Sequence, residues 1–391
     1  MMKKSMVIST VVGVVGLMGC QHLPNQTVIA PQVISEPLQW ESHDYQTHVV
    51  PLPASLFSLT SAQQDAFLHY YSDPQHVQIS PNIRLANYLS NLVSGFSYSG
   101  DTYSATEALS NQSGNCLSLA VLTTALAKLV DLDVLYQEVH TAPIYKRFGN
   151  LMTTSTHVRS LVLQPKEQQK DNVIIFRSRA VIDYFPSSTN DVGEYLSEQA
   201  FISMYYQNMA ANALVKDDKD LAYSYLAQAM ALDPANAETI NTLTVLYRKD
   251  GYVNQARALY EYVINNDIES VHTLSNFAVL LKKVGDKETL ASIGEMYLNT
   301  DDSNPYRWYD IGNEYLDRGD HLRAKVFFKR AVERGPYLSE GYLGLAKVYY
   351  LEGNWNKAES MMMKALSLTY PSDNQALYAA KLEAIQNTKR P

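Results

Sequence analysis

Cys116, His157 and Asp183 are the residues whose types and spacing suit covalent chemistry in this chain of 391 residues. A thiolate is a nucleophile, an imidazole within reach takes and returns its proton, and a carboxylate orients the imidazole and stabilises its charged form. Ser113-Gly114-Asn115-Cys116 introduces an apolar run through Val130, which puts Cys116 at the expected first turn of a helix. Backbone N–H groups without helical partners, and the positive end of the helix dipole, lower the pKa of a thiol placed there and can donate to an oxyanion. Gly114 would let the chain approach a substrate closely. His157 follows Cys116 by 41 residues and Asp183 follows His157 by 26. Three alternatives stay open. His140 is a rival base, Asp183 could cap a turn before Pro186, and Asn111 or Gln112 could be a second oxyanion donor or a loop-capping amide.

The elements that must position these residues follow from periodicity. Apolar residues recur at helical spacing over 82–93, and a turn-rich stretch covers 94–103. The run after Cys116 is apolar on every side, the pattern of a helix buried all round. Residues 133–140, 156–164, 173–176 and 180–184 read as strands. Helix followed by antiparallel strands is an α+β order, in which a histidine and an aspartate on neighbouring strands can meet against the helix that bears Cys116.

Ser104-Ala105-Thr106-Glu107-Ala108-Leu109, the Gly114-Asn115-Cys116 turn, the alanine-rich helix, His157-Val158 and Val181-Ile182-Asp183 resemble the transglutaminase-like cysteine-protease superfamily. The resemblance covers roughly residues 80–190. It implies an α+β papain/transglutaminase-like domain, a central helix on an antiparallel sheet, with Cys116 as nucleophile, His157 as general base and acid, and Asp183 orienting the imidazole. It also implies an oxyanion donor in the backbone N–H of Cys116. Val158 and Arg159 stand where members often carry an aromatic residue, and Tyr184 stands where the aspartate is usually followed by proline, so the substrate pocket is expected to differ.

The amino-terminal residues bear on the thiol count. Lys3 and Lys4 precede an apolar run over 6–19, too short for the about 20 residues that span a bilayer, so it reads as a signal-peptide core. Leu17-Met18-Gly19-Cys20 resembles the lipobox of bacterial lipoproteins. That resemblance implies lipidation at Cys20 and a bacterial cell envelope location. With Gln21 following, it implies the outer membrane facing the periplasm. Cys20 and Cys116 are the two cysteines, so an alkylated Cys20 would leave Cys116 as the one thiol.

Gly251, Gly285, Gly319 and Gly353 recur every 34 residues. A period of ~34 marks a helical solenoid, and the copy Trp308, Ile311, Gly312, Tyr315, Gly319, Ala324, Phe328, Ala331, Pro336 resembles the tetratricopeptide repeat. Small residues in such repeats permit close helix crossing and aromatics fill the gaps, so many of the 28 tyrosines are expected in the core. Asn241, Arg248, His272, Tyr309 and Asn313 fall on first helices at positions that could face a concave groove.

The length favours two domains, each with its own core. The expected organisation is a lipoprotein signal peptide over 1–19, a lipidated tether over 20–60, a transglutaminase-like α+β domain over 61–200, and an all-α tetratricopeptide-repeat solenoid over 203–391 with about five repeats and a closing helix. The expected function is a membrane-anchored periplasmic thiol enzyme that cleaves or transfers amide bonds of a protein or peptide held by the repeats. The alternative is a non-catalytic adaptor whose front domain only binds. No cofactor is implied. Nine scattered histidines without a His-Glu-x-x-His motif suit a metal site poorly. A net charge of -8 with no basic cluster argues against a nucleic-acid partner.

Overall fold

The computed structural model describes residues 45–93, 95–148, 151–165, 177–183, 191–268, 270–298, 303–369 and 374–388. The expected signal peptide, Cys20, most of the expected tether and the strand expected over 173–176 lie outside them.

The front of the chain alternates short helices with strands. After a 3-10 turn (Pro53–Phe57) come α1 (Ser61–Ser72) and α2 (Pro81–Val93), then β1 (Ser97–Tyr98), α3 (Ala105–Asn111), β2 (Ser113–Gly114) and α4 (Cys116–Leu129). Helices α1 and α3 open with capping boxes, Thr60 with Gln63 and Ser104 with Glu107, which satisfy donors that a helix start leaves over. Every residue of α4 from Cys116 to Ala127 is buried, as its all-round apolar pattern requires.

Four antiparallel strands follow: β3 (Val134–Phe148), β4 (Leu151–Leu163), β5 (Arg179–Ile182) and β6 (Asp191–Leu196), in the order β5-β4-β3-β6. Helix α4 packs against β4 and β3. Strands β3 and β4 are longer than the apolar runs that suggested them. Beyond an irregularity between Val139 and Ile144 their ladder resumes and continues to Phe148 opposite Leu151. Cross-strand backbone bonds sustain this part, where Lys146, Arg147, Thr153 and Thr154 break the apolar alternation. Strand β6 has no counterpart in the expected elements. It pairs along β3 as an edge strand.

The remainder is helical: α5 (Glu198–Val215), α6 (Lys219–Leu232), α7 (Ala237–Asp250), α8 (Val253–Asn265), α9 (Val271–Val284), α10 (Lys287–Leu298), α11 (Pro305–Asp317), α12 (His321–Arg334), α13 (Ser339–Leu351), α14 (Trp355–Leu368) and α15 (Asn374–Thr388). Helices α5 to α14 make five successive pairs and α15 packs on α14. The 34-spaced glycines take φ of 72–88° in the turn inside each pair from the second to the fifth, a left-handed conformation that other residues adopt at a cost. Between pairs, close approach is the requirement. A Cβ on Gly344 of α13 would lie 2.3 Å from the ring of Phe328 on α12, and within the fourth pair one on Gly312 of α11 would lie 2.6 Å from the same ring.

Two expectations are corrected by the packing. The two parts do not have separate cores: one apolar cluster runs from Leu56 through α4, Tyr136 and Val158 into α5–α10, and smaller clusters serve the last pairs. Tyr136 of β3 stacks on Phe201 of α5 at 4.1 Å, so the first repeat helix also serves as a layer on the sheet. The second correction concerns the tether, expected to reach residue 60. From Tyr45 the chain is docked on α6 and α7, and Leu56 is fully buried, because those residues carry apolar area that the repeats and α4 cover.

Candidate functional site

The turn before Cys116 is held from several directions. Pairing of β1 with β2 sets Tyr98 beside Gly114, whose φ of 149° is one that side chains disfavour. A Cβ there would lie 2.6 Å from the Cβ of Ser118, so glycine is required on both counts. Asn115 caps α4: its Oδ1 accepts from the Ser118 backbone at 3.0 Å, and its Nδ2 donates to Thr102 Oγ1 at 2.8 Å. Ser118 Oγ accepts from the Tyr103 backbone at 2.8 Å, and the Asn115 backbone donates to the Asp101 carbonyl at 3.1 Å. The loop before α3 is thereby tied to the amino end of α4, where Cys116 is the first helical residue.

His157 lies on β4 at the register position of Val139. Its Nε2–H donates to Asp183 Oδ1 at 2.6 Å, and its ring is hydrogen-bonded to the Cys116 side chain. The side chains of His157 and Asp183 are 5% and 6% exposed, and Cys116 is buried as well. Burial by itself would lower the pKa of His157. The hydrogen bonds to Asp183 and Cys116 and the electrostatic interaction with both outweigh it and raise the imidazole to about 9. The arrangement joins a thiol, an imidazole and a carboxylate in one chain of hydrogen bonds on the border of α4 and the sheet.

The structure therefore brings together Cys116, His157 and Asp183. Asp183, directly after β5, is bonded to the imidazole and is more than a turn cap. His140 lies in the middle of β3, directly after Val139, and is paired in register with Asp191 of β6. Gln112 is the left-handed cap of α3 and Asn111 its last residue, and both are exposed. Ser118 and Thr102 are positioning residues that sequence reasoning missed. The legible signal was Asn115 three residues before Ser118, a cap spacing without the usual Glu or Gln.

On the repeats, several polar residues link consecutive first helices. Asn276 Nδ2 of α9 donates to Asn241 Oδ1 of α7 at 3.0 Å, and Gln207 Nε2 of α5 donates to Thr242 Oγ1 of α7 at 3.1 Å. His272 Nδ1 of α9 bonds Glu238 Oε1 of α7 at 2.9 Å. Burial would raise the Glu238 carboxyl, but the bonds from His272 and Ser270 outweigh it and hold it below the usual range. Asn241 and His272 thus serve the solenoid itself. Tyr309 packs 5.7 Å from the Phe328 ring, while Arg248 lies partly exposed on α7 and Asn313 on α11.

A family model described as tetratricopeptide repeat matches residues 306–336. A UDP-N-acetylglucosamine--peptide N-acetylglucosaminyltransferase of Giardia intestinalis is 28% identical over 175 residues, 42% of this chain. The chain spans only 11% of that protein's length. Among solved structures, Pseudomonas aeruginosa pilF is 16% identical, with 49% of this chain and 87% of that one covered at a TM-score of 0.39. PilW, described as a widely conserved type IV pilus biogenesis factor, is 16% identical, with 48% and 88% covered at 0.37. YrrB, described as a TPR protein with an unusual peptide-binding site, is 18% identical, with 46% and 92% covered at 0.29. With the matched repeat at 306–336 and five helix pairs in a 34-residue phase, the second half of the chain is a solenoid of the tetratricopeptide type.

Proposed function

We propose that this chain is a tetratricopeptide-type adaptor that holds a protein or peptide partner on its repeats. The observation that carries this reading is the run of five helix pairs with a family match inside it, since stacked repeats present an extended surface along their first helices. Arg248 and Asn313 are the contact residues we assign to it. A photocrosslinking amino acid at either position should capture the same partner in cells, and one at Leu322, exposed on α12, should not. Capture at Leu322 alone, or at none of the three, would refute the assignment.

A second reading is favoured by one observation, the hydrogen-bonded set of Cys116, His157 and Asp183. In it the helix-on-sheet unit is a transglutaminase-like domain and a thiol amide hydrolase or acyltransferase. The Cys116 thiolate, its proton held on His157, attacks the carbonyl carbon of an amide, and the backbone N–H groups at the start of α4 receive the developing oxyanion. Collapse breaks the C–N bond, and the leaving amine takes the proton from His157. The resulting thioester carbon is then attacked by water or by an amine, with His157 accepting the nucleophile's proton, and collapse breaks the C–S bond to release the acid or the new amide and return Cys116 as thiolate beside the protonated His157. Asp183 keeps the imidazole oriented through both steps. This reading places the protein on the outer membrane through lipid at Cys20, facing the periplasm. Proteomics of envelope fractions should show termini or isopeptide bonds that depend on Cys116 and vanish in Cys116→Ser. Identical profiles would leave the adaptor reading alone.

A further inference from the structure

The segment over residues 45–51 occupies a slot in the first two repeats that is separate from the thiol site. The Tyr45 ring stacks with Tyr223 of α6 at 4.8 Å and with Tyr247 of α7 at 6.3 Å, at interplanar angles of 15° and 10°. Tyr252 closes one side edge-on at 6.2 Å. The Tyr45 hydroxyl donates to Asp250 Oδ2 at 2.8 Å, and Lys219 is ion-paired with the same carboxylate. Two backbone donors follow. Gln46 N–H donates to Asp220 Oδ1 at 3.0 Å and His48 N–H to Ser224 Oγ at 2.8 Å, both acceptors on α6. Donors two residues apart lie on one edge of an extended chain. Further on, Tyr206 of α5 donates to the Pro51 carbonyl at 2.6 Å.

These contacts divide into two kinds. Over residues 45–48 one side chain is read, the phenol of Tyr45, by two ring faces and an anionic acceptor, while Val50 beyond them is buried in the main apolar cluster. The next two contacts are to backbone N–H groups, which every residue except proline supplies. The slot therefore recognises a chemical class, an extended segment with a tyrosine followed by positions other than proline, and its own chain is one instance. An open depression lined by Tyr45 itself together with Lys219, Asp220, Asp250 and Tyr252 lies beside the ring, so this end of the slot faces solvent.

We propose that this slot is a docking site for an extended, tyrosine-bearing peptide segment, held in the resting chain by residues 45–48 and opened to a partner when that strap lifts. The proposal is independent of any reading of Cys116. A tethered segment competes at a millimolar-scale effective concentration, so a free peptide binds the wild-type chain poorly and binds a vacated slot well.

The test uses the full-length chain and a fluorescein-labelled peptide of residues 42–53, read by anisotropy. Tyr45→Ala should bind the peptide at least tenfold more tightly than wild type. The same peptide with phenylalanine for its tyrosine should bind Tyr45→Ala about tenfold more weakly, having lost its bond to Asp250. Gln46→Pro removes a strap donor, leaves every repeat residue intact and should fall between wild type and Tyr45→Ala. It carries the test by itself if Tyr45→Ala does not melt as wild type does. The proposal is overturned if variants that melt like wild type bind the peptide no more tightly than wild type. It is equally overturned if a peptide with alanine for its tyrosine binds as well as the original.

Discussion

Asp183→Asn replaces the carboxylate that accepts the 2.6 Å bond from His157 with a neutral amide of nearly the same shape. In the folded protein the imidazole is raised from 6.5 to about 9, against the effect of burial, by its bonds to Asp183 and Cys116. A raised imidazole contributes stability that is fully present below pH 6.5 and is lost as pH rises through about 9, because between those values the folded state binds the proton and the unfolded state does not. At 1.36 kcal/mol per tenfold, the whole effect is on the order of 3 kcal/mol. Asp183 and Cys116 share it, so the substitution should cost about 2 kcal/mol at pH 6 and less than about 1 kcal/mol at pH 10, where the ring is neutral in both proteins. Two measurements check this. Nitrogen-15 NMR of histidine-labelled protein, with His157 assigned by its loss in His157→Gln, should show a titration near 9 that moves down in Asp183→Asn. Unfolding of wild type and variant at the two pH values should show the difference shrink as pH rises, with other titrating groups cancelling in the comparison. A wild-type ring that titrates near 6.5, or a stability difference that is independent of pH, would refute the coupling of His157 to Asp183.

Iodoacetamide should alkylate Cys116 in the native protein, and His157→Ala should slow the reaction at least about tenfold while His140→Ala leaves it unchanged, since His157 is the ring bonded to the thiol. Mass spectrometry of timed quenches reads the rate, and labelling that begins only on denaturation would mark a structural cysteine. Gly344→Ala places a methyl 2.3 Å from the Phe328 ring and should destabilise the last two repeats by about 1–3 kcal/mol, visible as faster amide exchange in α12 and α13 with α4 unaffected. Unchanged exchange would show that Phe328 yields freely. Cells fed an alkyne fatty acid should label the wild-type protein and not Cys20→Ala, and labelling that survives the substitution would place the lipid elsewhere.

The local features were legible because local chemistry specifies them. The 34-residue glycine spacing marks the turns within four of the helix pairs, since a left-handed turn residue is a one-position requirement. An apolar run without a polar stripe could only be a helix enclosed on all sides, and α4 is one. Cys116, His157 and Asp183 were identifiable as types at a spacing, but their union was decided by the sheet. The β4–β5 pairing, which sets Ile182 opposite Ser160, carries His157 and Asp183 to a 2.6 Å bond across 26 residues of chain. Strand pairing also decided what apolar alternation concealed: the length of β3 and β4, and β6 along the edge of β3. The shared core depends on Tyr136 finding Phe201, and the docked segment on Tyr45 finding Tyr223 and Tyr247 more than 170 residues away. Such contacts leave no periodic trace, because each is a single meeting of surfaces that exists only once both partners are folded.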